Sequence, residues 1–427
     1  MTGLADGVLG GLDGMLGDLE ECYVDLHRHP ELSYQEIRTA ARVAERLAGL
    51  DYRVTTGVGG TGVVGVLDNG PGPTVLLRAD MDALPVAELT GLPYASTATA
   101  IDGDGRRVPV MHACGHDMHV TWLLGAARLL AAARADWRGS VAVVFQPAEE
   151  FGGGAQAMVD DGLFELVGVP DVVLGQHVAP APAGMVLCRA GTIMAASDSV
   201  LVRLFGRGGH GSRPETTVDP VVMAAATVLR LQTVVSREIA ATDAAVVTVG
   251  AINAGTQDNV IPSEAELRVN VRSFDQQVRR RALAAVERIV RAEATASGAP
   301  REPEITVTNS FPITVNDEPA TLRLTAAFTD HFGADRVVEA PLATGSEDFG
   351  VLGDACGAPS VFWFVGGIDA AAFAEAEATG RLETDVPSNH SPHFAPVPHP
   401  TIATGVRALV AAALAWLRDG PGDRARA

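Results

Sequence analysis

Val141-Ala142-Val143-Val144-Phe145-Gln146-Pro147-Ala148-Glu149-Glu150 is the stretch on which the fold turns. Its first five residues form a short β-branched apolar run closed soon after by a proline, and such a run without polar alternation predicts a strand covered on both faces. Working outward, a helical pattern from His119 to Ala135 precedes it and a second β-branched run, Val172 to Leu174, follows. Upstream, Val63 to Leu67 and Thr74 to Leu77 are two more such runs bounded by glycines, while the first 50 residues carry helical periodicity. The alternation is βαβ wiring, which predicts an α/β fold built on a mostly parallel sheet.

Around Ala195 the pattern changes. A strand from Ser199 to Phe205, a helix from Pro220 to Ile239, strands at Ala245 to Val249 and Ala265 to Arg272, a helix from Gln276 to Ala296 and a strand at Ile305 to Thr308 follow one another. That order, βαββαβ, is a ferredoxin-like α+β unit inserted into the larger domain. The expected domains are therefore residues 1–195 and 310–427, forming one sheet domain, and residues 196–309, forming the insert. The sheet domain resumes with a helix, strands at Val337 to Glu339 and Ser360 to Val365, and a terminal helix from Thr401. The apolar run Ala408 to Leu417, bracketed by Arg407 and Arg418, reads as a buried helix, being about half the length that crosses a bilayer. Gly420 to Ala427 are expected to fray.

Composition narrows the function. The 32 basic residues against 52 acidic ones give a net charge of −20, and aromatics are only 5%. This charge repels phosphate backbones and anionic lipid, so no nucleic-acid or membrane partner is expected. Every basic residue is Arg and none is Lys. A lysine Schiff base and a P-loop lysine are thereby excluded. Cys22, Cys114, Cys188 and Cys356 show no paired spacing and the chain starts without a basic, apolar leader, which together predict a reduced, cytoplasmic protein.

The chemistry concentrates in Met111-His112-Ala113-Cys114-Gly115-His116-Asp117-Met118-His119, just ahead of a helix. Thiolate and imidazole two residues apart suit zinc or its late first-row neighbours. Four further segments end strands or lie in loops, where parallel sheets place ligands. Leu77 to Pro85 carries Asp80 and Asp82, and Gln146 to Glu150 ends in adjacent carboxylates, of which one can bind metal while its neighbour acts as base. Gly175-Gln176-His177 ends an apolar strand, and Pro387 to Phe394 holds His390 and His393 between prolines. Taken singly, each also reads as a turn, a helix start or a core histidine. Together, Cys114, His116, Glu150, His177 and His390 are enough ligands for two metals with open positions, a count that suits catalysis.

These segments resemble a known family. RADMDALP, MHACGHDMH, QPAEE, GQH, GRGGHGSRP, QDNVIP, GSEDF and NHSP stand in the order seen in the di-metal aminoacylase and carboxypeptidase family, in its hippurate hydrolase and indoleacetyl-amino-acid hydrolase branch. The match runs from His27 to Phe394. The resemblance implies a zinc-peptidase-like α/β domain with an inserted lid domain, which dimerises in many members. It implies that Cys114, His116, Glu150, His177 and His390 hold two divalent metals, without saying which ligand bridges them, and that Glu149 is the general base. Zinc, manganese, cobalt or nickel fit such mixed ligands. His210, on the lid, would face the carbonyl oxygen, in several relatives from the partner subunit, although its glycine neighbours also suit a plain turn. Asp82 would orient a ligand histidine, and Asp80 could instead end its strand by bonding backbone. Asn259 and Arg272 would grip a substrate carboxylate or amide, with an ordinary salt bridge the alternative for Arg272.

The implied reaction is cleavage of an N-acyl amino acid into a carboxylic acid and an amino acid, with a dipeptidase or carboxypeptidase of the same superfamily as the alternative. A serine hydrolase is disfavoured because the chain has no GxSxG, and a structural zinc protein because the ligands are mixed and distant. A silent binding protein is disfavoured because ligands and base are all present. Two departures from the family pattern, Glu215 after GHGSRP and Pro396-Val397-Pro398-His399 after the NHSP loop, touch no ligand and bear on pocket shape. His393 is a weaker ligand candidate than His390, because the matching position varies in the family; His29, His112, His119, His331 and His399 are read as local structure, with His112 and His119 candidates for the layer behind the ligands.

Overall fold

Ser140–Gln146, Thr74–Asp80, Val172–Pro182 and Ser360–Ile368 lie side by side and parallel in that order, at the centre of an eight-stranded sheet. The structure is a computed structural model that describes residues Thr2–Leu417, so the expected fraying of Gly420 to Ala427 concerns residues outside those described. Gly62–Asp68 and Arg53–Val58 extend one side antiparallel; Val186–Cys188 pairs antiparallel with Ser360–Ile368 on the other and carries Val337–Glu339. The four central strands are buried almost end to end, as the unbroken apolar runs require of a sheet covered on both faces.

Two helices cover the side that matters for chemistry. His116–Ala132 crosses over between the parallel neighbours Thr74–Asp80 and Ser140–Gln146, and it is buried nearly all round because Pro398–Leu417 packs on it. Trp122 is fully buried and donates its indole N–H to the Thr401 carbonyl at 2.9 Å. Pro398–Leu417 is long and apolar enough to cross a membrane by length and composition, more than its Ala408 to Leu417 run alone suggested, but 78% of that apolar window is buried inside the protein. It is a core helix packed beneath the central sheet.

The chain forms two compact units. One holds the residues up to Ile193, Val315–Pro341 and the chain from Asp348 onward. The other is Met194–Thr314 with the short excursion Leu342–Glu347, which no periodicity announces. In this second unit the strands lie in the order Ala245–Ala254, Glu264–Ser273, Ala196–Phe205, Glu304–Phe311, all antiparallel, with helices Pro220–Thr233 and Gln276–Ala296 packed on them. That is the ferredoxin-like arrangement. Val200, Val202, Leu204, Leu267, Val269 and Val271 form its buried face, and Asp219 and Asp275 cap the two helices through backbone N–H groups. The helix expected to run to Ile239 is α-helical only to Thr233 and continues as a π-helical turn over Val234–Glu238.

Candidate metal and catalytic site

Parallel strands bring their carboxyl ends to one edge, and the chemistry gathers there. Asp80 stands opposite Gln146 in the register, so the residues just beyond each strand, Asp82 and the Glu149–Glu150 pair, meet. The turn that presents them is specific. Ala148 adopts φ +49°, a left-handed conformation unusual for a residue with a side chain, and its N–H donates to Glu36 Oε1 at 2.8 Å. The next two N–H groups, of Glu149 and Glu150, donate to the two oxygens of Asp82 at 3.1 and 3.0 Å, while Ser33 Oγ–H donates to the same carboxylate at 2.7 Å. Glu36 is fully buried, and burial followed by repulsion from Asp82 raises its carboxyl to about 7.

The helix His116–Ala132 begins three residues earlier than expected because Gly115, at φ +88°, turns the chain into it. A Cβ on Gly115 would lie 2.4 Å from Val178 Cγ1, so the close approach also demands glycine. The turn puts Cys114 just outside the helix and His116 and His119 on one face of its first turn. His119 donates from Nδ1 to Asp80 Oδ1 at 2.5 Å and accepts the Val178 N–H on Nε2 at 2.8 Å. Both ring nitrogens are therefore committed, which places His119 behind the expected ligands. Asp80 does not end its strand by bonding backbone: its other oxygen takes the buried Arg78 guanidinium at 2.8 Å. Arg78 also donates to Gln146 and, at 3.2 Å, to Asp348. The sequence hinted at Asp80 through its D-x-D spacing, and Arg78 and Asp348 lie within the RADMDALP and GSEDF motifs, though without a role read for either, while Glu36 belongs to none of the quoted motifs.

The proposed ligands converge. His177 donates Nδ1–H to the Val178 carbonyl at 2.7 Å, leaving Nε2 3.4 Å from Cys114 Sγ. One ligand atom each from Cys114, His116 and Glu150 lie within 4.8 Å of one another, and His390 Nε2 is 3.2 Å from Glu150 Oε1. His116 Nδ1 is 3.3 Å from Asp82, yet neither its ring nitrogens nor Glu150 Oε1, all buried, have an aligned hydrogen-bond partner. Buried polar atoms left so are costly unless a further group completes them. The field points to the same group. Burial opposes a charge on His116, but Asp80, Asp82 and Glu150 raise its imidazole to about 10. Burial and the charges of Glu150 and Glu149 push the Cys114 thiol well above its usual range. Clustered carboxylates, a thiol and unpaired imidazole nitrogens make a site that fits divalent cations and would hold the thiol as thiolate once they bind. Glu149 is 4% exposed at the edge of this cluster.

The three remaining expected residues lie in the second unit. His210 is exposed on a two-residue strand paired with Val260–Ile261, and its Nδ1 meets the Ser212 backbone N–H and hydroxyl. Asn259 lies beside it, its carbonyl accepting the Gly211 N–H at 2.8 Å. Arg272 makes no salt bridge among the described residues; its Nη1 donates to the Thr344 carbonyl at 2.7 Å and Ser346 Oγ at 3.2 Å, and its Nε to Asn270. His393, the weaker ligand candidate, meets the Leu89 carbonyl, and His399, read as local structure, meets Glu20. His112 is buried with both ring nitrogens unpartnered, and burial lowers its imidazole to about 4.

Comparison with known proteins agrees with this chemistry. Hippurate hydrolase of Campylobacter jejuni is 39% identical over 338 residues, covering 78% of this chain and 84% of that protein. Thermostable carboxypeptidase 2 of Saccharolobus solfataricus is 38% identical over 346 residues, covering 80% and 84%. Among solved structures, a Bacillus subtilis protein described as a dinuclear metal-binding peptidase of the M20 family superposes with a TM-score of 0.73 at 27% identity, over 95% of this chain and 99% of that one. Residues 76–386 match peptidase family M20/M25/M40. The mostly parallel α/β sheet and the candidate metal-ligand cluster at its carboxyl edge agree with that likeness, and this chain belongs to peptidase family M20/M25/M40 as a metal-dependent hydrolase of amide bonds.

Proposed function

We propose that the chain cleaves N-acyl amino acids, with Cys114, His116, Glu150, His177 and His390 holding two divalent metal ions and Glu149 acting as general base. The observation that carries this is the convergence of thiol, imidazole and carboxylate donors, several of them unpaired, beside a second buried carboxylate. Zinc or manganese is the expected metal, with cobalt or nickel also suited to the donor set. When bound, the ions supply Lewis acidity toward the amide carbonyl. Glu149 takes the proton of the attacking water and returns it to the leaving amine. Asp82 holds the two glutamates by their backbone N–H groups and flanks His116, fixing base and ligand together.

His210 is assigned as the donor to the carbonyl oxygen as negative charge grows there. Its exposure leaves it open to a bound substrate, in the same chain or in a partner. Asn259, next to His210, and Arg272 are assigned to the substrate carboxylate, with Arg272 Nη2 the arm for that contact. The second unit is read as a lid and homodimerisation unit. Free thiols at all four cysteines suit a cytoplasmic protein.

A carboxypeptidase or dipeptidase reading stands second, supported by the carboxypeptidase likeness. Amino-acid release from a panel of N-benzoyl, N-acetyl and N-indoleacetyl amino acids and dipeptides, on chelator-treated protein with and without zinc or manganese, separates the two. Metal-restored release from acyl amino acids in preference to dipeptides is expected. Preference for dipeptides would favour the second reading, and metal-independent release would overturn both.

A further inference from the structure

The ligand His390 sits in an awkward place. It lies in a loop, its side chain is 55% exposed, and its backbone adopts φ +70°. For a residue with a side chain that conformation is unfavourable and persists only where neighbours over-determine it. The determinants are short bonds to a different ligand segment. The His390 N–H donates to the Ala113 carbonyl at 2.8 Å. Its neighbour Asn389 spends both amide protons on two backbone carbonyls, Cys114 at 3.1 Å and Val178 at 3.2 Å, and lies 3.9 Å from Cys114 Sγ. Two carbonyl acceptors fix which end of the carboxamide is nitrogen, because an oxygen there would face two others.

The Val178 peptide is a junction. Its carbonyl accepts from Asn389 and from His177 Nδ1, and its N–H is held by His119, itself fixed by Asp80. Since the Val178 carbonyl decides that His177 carries its proton on Nδ1, it decides that Nε2 faces the metal. We propose that Asn389 is the positioning residue of the metal centre: its carboxamide ties the loop of His390 to the backbone of Cys114 and to the peptide that orients His177, setting three ligands from three segments. The assignment rests on the ligand set proposed above. It explains why a half-exposed loop can deliver a ligand, and it extends beyond the ligands themselves the set of residues on which metal affinity depends.

The test uses the full chain and chelator competition for zinc. Asn389→Ala removes the donors, and Asn389→Leu removes them while nearly keeping the volume. Both are expected to weaken zinc binding about 10- to 100-fold, the usual effect of losing a partner behind a ligand. Both should also shift the thiolate-to-cobalt absorption of the cobalt-loaded protein, with the metal-free melting temperatures staying at the wild-type value. Zinc affinity within twofold of wild type in either variant, or a loss matched by a fall in metal-free melting temperature, overturns the proposal. His177→Ala is the control on the ligand set. If it binds zinc like wild type, the ligand assignment fails and this inference with it; if it loses zinc while both Asn389 variants do not, only this inference fails.

Discussion

At the scale of single residues, the charge balance around His27 makes a measurable statement. Its Nδ1 lies 2.7 Å from Asp117 and its Nε2 3.1 Å from Glu88, all with buried side chains. Burial alone would lower the imidazole, but the bonds to Asp117 and Glu88 raise it to about 9. The folded value lies above the unfolded 6.5, so the stabilisation is complete below pH 6.5 and is lost as pH rises toward about 9. A shift of this size amounts to roughly 3 kcal/mol. Urea unfolding of wild type and His27→Gln from pH 6 to 9.5 should show the wild type losing its advantage across that window; parallel curves would refute the pairing. Residues of this kind mark the limit of what a sequence displays. Cys114, His116 and His177 carry chemistry in their identity and spacing, whereas Glu36 belongs to no quoted motif and looks ordinary until the fold brings it to the Ala148 N–H.

At the scale of elements, the identities of the longer strands and helices followed from β-branched runs and apolar periodicity, while short elements such as strand Val186–Cys188 and the ends of the longer ones were missed. Helix His116–Ala132 starts where a left-handed glycine permits it, and Val172–Pro182 runs well past its apolar core because Ser360–Ile368 pairs with it along its length. The packing of His116–Ala132 against Pro398–Leu417 is set by a contact no periodicity announces. A Cβ on Gly405 would lie 2.2 Å from the Trp122 ring. Trp122 in turn stacks on His119, with centroids 5.4 Å apart and planes at 24°. Gly405→Ala should therefore cost about 1–3 kcal/mol by overpacking. It should also lower zinc affinity, because a displaced Trp122 disturbs His119 and, through Val178, His177. Denaturant unfolding and chelator competition check the two effects; an unchanged midpoint would show that the helices separate freely.

At the scale of the whole molecule, the metal centre is expected to be a fastening of the first unit. Its proposed ligands come from the starts or ends of segments more than 270 residues apart in the chain, from Cys114 to His390. A ligand that binds only the folded form stabilises it by about 2.7 kcal/mol at one hundred times its dissociation constant. Removing metal with a chelator should lower the melting temperature, with faster amide exchange in segments 111–119, 146–151, 176–179 and 388–394 and little change in strands Ala196–Phe205 and Glu264–Ser273. Equal loosening of both units would contradict a centre built within the first. The change of pattern near Ala195 was legible in the order of strands and helices, and the candidate ligands stood out because each motif ends a strand or opens a helix. The Leu342–Glu347 excursion was not legible, since six residues carry no periodicity.

The most direct test of the central claim separates the base from the metal. Glu149→Gln should bind two metal ions per chain with wild-type affinity while its turnover of N-acyl amino acids falls by a factor on the order of 10² to 10⁴, the usual contribution of a general base. Turnover within a few-fold of wild type, or turnover lost only because the metal is lost, would contradict the account.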